Sequence, residues 1–136
     1  MTAGYSGTPL AKKVGVKPGH RLVMLSAPAA WSIPELPDDV RVTSRLPKAG
    51  ADIVLAFCRE LATLTRGLAT WGEAVFPDGM VWIAWPRKAA GHLSDLGDNV
   101  VRAHVLTLGL VDVKIAALDE DWSGMKVVWR KENRTR

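Results

Sequence analysis

Every position from Met80 to Trp85 is apolar, and the run mixes β-branched and aromatic side chains. A short run with no polar face reads as a strand buried on both sides, the kind found inside a parallel sheet. Pro77-Asp-Gly79 opens it and Pro86 closes it. Ala51 to Phe57 forms a second strong run, and Arg21 to Leu25 a shorter third one after the turn Lys17-Pro-Gly19. Val40 to Thr43 alternates weakly and predicts a short strand. Only residues 44–50 separate it from the run at Ala51, fewer than the dozen or so that a parallel crossover needs. It is therefore expected as a stub at the sheet edge, with an antiparallel direction the other option.

The helical positions have a different period. Leu61, Leu64, Leu68, Trp71 and Val75 make one apolar stripe and predict a helix over Arg59 to Val75. Gly67 and Gly72 weaken it slightly. Thr8-Pro9 opens a shorter helix, with Thr8 as cap and Pro9 at the first helical position; Leu10 to Val14 continue it and Gly15 ends it. Ser94 suits the N-cap of a third helix. Asp95 and Asp98 then lie near the positive end of its dipole, and Gly109 stops it. Pro28, Pro34 and Pro37 forbid a long helix between Ser26 and Asp39. Val111 to Leu118 and Met125 to Trp129, joined by Asp119 to Gly124, predict an antiparallel hairpin at one edge. The sum is an α/β fold: a doubly wound three-layer sandwich whose mostly parallel sheet ends in a C-terminal antiparallel hairpin.

Length and composition narrow this. A chain of 136 residues is expected to be one domain, with residues 1–7 and 131–136 loose. No apolar run approaches the ~20 residues of a membrane span. The N-terminus lacks the charged-then-apolar pattern of a secretory signal. Cys58 stands alone and cannot form an internal disulfide, so a reducing cytoplasm is the simplest address. The formal charge is +4, with Arg130, Lys131, Arg134 and Arg136 gathered at the end. The reading adopted is a solvated terminus; binding nucleic acid through this tail is the less favoured one.

Open α/β sheets hold their ligands beyond the carboxyl ends of their strands. Arg87 and Lys88 stand there, directly after the Met80 run. With backbone N–H groups near Ser94 they form a candidate anion pocket, to which Arg59 and Trp31 can add a cation and a flat ring. Cys58 sits where a strand hands over to a helix, a place that can lower a thiol pKa, but no histidine is beside it; a buried small hydrophobe is the expectation. His20, His92 and His104 lack metal-ligand spacing, so no metal is expected. Asp119, Glu120 and Asp121 read as a solvated turn. Of the six tryptophans, Trp82 and Trp85 should point to opposite faces of one strand, while Trp31 and Trp122 fall in loops.

The runs Ala51-Asp-Ile-Val-Leu-Ala-Phe57 and Pro77-Asp-Gly-Met-Val-Trp-Ile-Ala84 resemble the fourth and fifth strands of a shortened class I methyltransferase fold, whose sheet ends in such a hairpin. Taken with Gly4-Tyr-Ser-Gly-Thr-Pro-Leu-Ala-Lys-Lys13, Ala84-Trp-Pro-Arg-Lys88 and Trp122-Ser-Gly-Met-Lys126, nearly the whole chain resembles a small bacterial family known only as a domain of unknown function. The methyltransferase likeness implies a glycine-rich turn after the first strand and an acidic residue after the second, to hold adenosylmethionine. Here those positions read Ser26-Ala-Pro-Ala-Ala-Trp31 and Ser44-Arg45. No phosphate-loop or dinucleotide fingerprint occurs either, so no cofactor is expected. The expectation is a non-catalytic methyltransferase-like domain that binds an anionic small molecule or a protein partner at the strand ends. The alternatives are an atypical adenosylmethionine-dependent methyltransferase and a nucleic-acid-associated protein using the basic tail.

Overall fold

The two strong apolar runs become neighbouring parallel strands at the centre of one six-stranded sheet. The computed structural model describes residues 8–136; residues 1–7, including the Gly4–Gly7 part of the resemblance above, lie outside the described residues. The strands are β1 (Arg21–Leu25), β2 (Arg41–Thr43), β3 (Ile53–Phe57), β4 (Met80–Pro86), β5 (Leu110–Ala117) and β6 (Trp122–Trp129), in the order β2-β1-β3-β4-β6-β5. The pairs β2–β1, β1–β3 and β3–β4 are parallel, with Ile53 beside Met80 and Phe57 beside Ala84. The pairs β4–β6 and β6–β5 are antiparallel. The weak Val40 run is the stub at the sheet edge, and it runs parallel to β1. The architecture is the mostly parallel α/β sandwich with a terminal hairpin.

Strand pleating divides the apolar side chains between two cores. Trp82 faces one layer with Leu22, Ile53, Leu55 and Phe57, closed by α1 (Leu10–Val14) and the buried Ile33 of the loop after β1. Trp85 faces the other with Val54 and Ile83, under α2 (Leu61–Val75) and α3 (Asp98–Thr107). Trp82 is fully buried and its indole N–H donates to the Val14 carbonyl at 2.8 Å, which ties α1 to the sheet. The stripe on α2 behaves as its spacing predicts: Leu64, Leu68, Trp71 and Val75 are buried. Gly50 is required where it stands. Its φ is +87°, and a Cβ there would lie 2.7 Å from the Ala74 carbonyl oxygen.

Several boundaries differ from the sequence reading. Ser94 is not the N-cap of α3, which begins at Asp98 with Gly97 before it and no side-chain cap. Its hydroxyl instead accepts the Leu96 N–H at 3.1 Å and donates to the Arg59 carbonyl at 3.3 Å. Asp95, expected near the start of α3, caps α2: its carboxylate accepts the Leu61 N–H at 2.8 Å. Thr8 does not cap α1; Pro9 holds the N-cap position, with no side-chain cap bond. The hairpin turn is shorter than Asp119 to Gly124, because β6 already starts at Trp122. One oxygen of Asp119 accepts the N–H groups of Asp121 and Trp122, both at 2.8 Å, and tightens the turn from within.

Candidate functional site

The carboxyl ends of β3 and β4 meet the start of β6 beneath two loops. Phe57 ends β3. Its ring lies edge-on to Trp31 at 4.8 Å and to Trp122 at 4.9 Å, the arrangement in which aromatic quadrupoles attract. Trp31 comes from the proline-rich loop after β1, and its indole N–H donates to Asp119 at 2.8 Å. Asp119 thus binds Trp31 with one carboxylate oxygen while the other holds its own turn. The acidic cluster read as a solvated turn therefore closes this edge of the sheet.

Next to these rings lies a hollow of about 280 Å³ lined by Pro28, Arg59, Pro86, His92, Asp121 and Trp122. The Arg59 guanidinium stands 5.1 Å from the centre of the Trp122 ring. Such stacking orients a cation without neutralising it. Arg59 is exposed and makes no ion pair among the described residues. His92 Nε2 lies 2.9 Å from the Asp121 carboxylate. Lys88 opens a one-turn 3-10 helix (Lys88–Ala90) and is exposed.

The structure brings only part of the expected site together. Arg59 lines the hollow, and Trp31 lies one ring away, against Phe57. Ser94 contributes indirectly, by holding the Arg59 carbonyl. Arg87 turns to the hairpin: its N–H donates to the Asp121 carbonyl at 2.8 Å, and its guanidinium to the carbonyls of Glu120 at 3.0 Å and Asp119 at 3.4 Å. His92, Asp121 and Trp122 were not singled out for this site, because residues 87–92 and 119–122 are brought together only by the β4–β6 ladder. The one local signal is Asp119 two and three residues before the N–H groups it caps. Cys58 is fully buried, and burial pushes its thiol up to about 12, so a thiolate nucleophile does not form there near neutral pH. At the C-terminus, Arg136 holds Glu73 at 2.7 Å and stacks 3.8 Å from the centre of the Phe76 ring, while Arg134 donates to the Trp129 carbonyl at 2.9 Å. The basic tail thus folds back on the molecule.

The fold is that of solved methyltransferases. A candidate methyltransferase from Thermoplasma acidophilum matches with a TM-score of 0.56 and 8% identity, over 93% of this chain and 76% of that one. The 23S rRNA methyltransferase ErmE matches with a TM-score of 0.52 and 10% identity, over 93% of this chain and 68% of that one. At such identities the likeness is one of fold. No protein-family model matches the sequence, and no curated protein does. The residues at this edge do not fit adenosylmethionine. The turn after β1 has no glycine for backbone approach, it folds Trp31 onto Phe57, and exposed Ser44 and Arg45 follow β2 where a carboxylate would hold the ribose.

Proposed function

We propose that this chain is a methyltransferase-fold binding domain that does not transfer methyl groups, and that it holds a small anionic ligand in the hollow at its carboxyl edge. The observation that carries the reading is Arg59: a guanidinium oriented over Trp122, at the mouth of a hollow, with no carboxylate partner among the described residues. Its planar fork suits a carboxylate or phosphate. His92 stands on the same wall with its Nε2–H given to the Asp121 carboxylate, so Arg59 is the group there that donates to the anion. A protein partner presenting an acidic side chain would meet the same groups. Thermal-shift screening with monophosphorylated metabolites and dicarboxylates tests this. At least one class should stabilise the wild type, and Arg59→Ala should remove that effect. If none does, or if Arg59→Ala leaves the shift intact, the reading fails.

The fold likeness supports a second reading, an atypical methyltransferase. Titration calorimetry with adenosylmethionine and adenosylhomocysteine separates the two: binding heat favours the enzyme, and its absence at high concentration dismisses it.

A further inference from the structure

The opposite, amino edge of the sheet holds a larger hollow of about 680 Å³, whose wall includes Gly15, Lys17, His20, Arg21, Asp52 and Met80. Two further lysines stand beside it. Lys126 on β6 and Lys114 on β5 are directly opposed across the antiparallel ladder, and both lie on the Trp82 side of the sheet. Lys114 Nζ stands 5.8 Å from the centre of the Trp82 ring. Lys126 Nζ reaches the rim of the hollow, 4.0 Å from where a Cβ on Gly15 would lie. None of Lys17, Lys114 and Lys126 makes an ion pair among the described residues. Of the carboxylates in the hollow, Asp52 is turned onto the Arg21 N–H at 2.7 Å, while Asp78 lies on the exposed turn before β4.

We propose that this rim is a second ligand site, for a chain of two or more phosphates held by Lys17, Lys114 and Lys126. Like charges opposed on a ladder work against folding, and a bound polyanion reverses the sign of that interaction. The same crowding shows in Lys126, whose ammonium is pulled below its ordinary value first by burial and then by Lys114 and Lys17. Three point charges from three separate elements suit an extended chain of phosphate oxygens better than one bidentate group. Trp82 beneath them is fully buried and cannot stack a base, which favours a phosphate chain over a single-stranded nucleic acid.

The test is thermal shift and titration calorimetry with inorganic tripolyphosphate, ATP, orthophosphate and duplex DNA. Tripolyphosphate should raise the melting temperature, and the effect should weaken between about 20 and 200 mM salt. Orthophosphate at equal ionic strength should do much less. Lys114→Gln with Lys126→Gln should weaken binding roughly tenfold or more while Arg59→Ala leaves it unchanged, which keeps this site distinct from the one at the carboxyl edge. Lys114→Gln alone, at an exposed position, serves if the double variant does not fold. Equal binding of ATP and tripolyphosphate marks an inorganic chain as sufficient; tighter ATP binding adds the nucleoside to the same site. No shift with tripolyphosphate, an equal shift with orthophosphate, binding unaltered in the variants, or binding of DNA alone overturns the proposal.

Discussion

Cys58 shows how far one residue's chemistry depends on its surroundings. Its place after β3, beside Arg59, is one where a thiolate can be favoured, yet the side chain is fully buried and the thiol is pushed up to about 12. The folded thiol therefore stays protonated where the unfolded one ionises. Its contribution to stability is complete below about pH 9 and is lost as pH rises from there towards 12. Urea unfolding of wild type and Cys58→Ala should show this as an extra downward slope in the wild type alone, on the order of 1 kcal/mol per pH unit. Thiol reagents at pH 8 should leave the native protein unlabelled and label it in denaturant. Native labelling at a free-thiol rate would contradict the burial argument. Burial of Cys58 was legible as the ordinary fate of a lone cysteine.

At the scale of elements, the apolar pattern placed strands and helices well, whereas their ends depend on contacts distant in sequence. The start of α2 is held by Asp95, 34 residues on. Asp95→Ala should cost about 1 kcal/mol, as for other lost caps, and Asp95→Asn much less. Hydrogen exchange should locate the loss at the first amides of α2, Leu61 to Leu64, and not in α3. A loss confined to α3 would return Asp95 to the role expected from sequence. Ser94 carried a strong local cap signal, but its hydroxyl is taken by the Leu96 N–H and the Arg59 carbonyl. A local propensity yields when tertiary geometry offers the same group another partner.

For the whole molecule, the decisive feature is how the carboxyl edge is shut. Asp119 ties the loop after β1 to the terminal hairpin through Trp31, Asp121 and Trp122. Asp119→Ala should lower stability by about 2–3 kcal/mol, since it strips acceptors from three donors. Exchange protection should fall together in residues 26–40 and 119–122 while β3 and β4 keep theirs. Protection lost in the hairpin alone would show that the Trp31 contact does not couple the two loops. The parallel pair at Ala51 and Gly79, the edge stub and the terminal hairpin all follow from the sequence, because burial on two faces demands uninterrupted apolar runs and a short linker demands a short strand. The missing glycine turn after β1 was equally plain. Which way Arg87 turns, the meeting of Arg59 with His92 and Trp122, and the facing lysines of β5 and β6 were decided only by tertiary structure. Each joins residues tens of positions apart, and no local period encodes the register that brings them within a few ångströms.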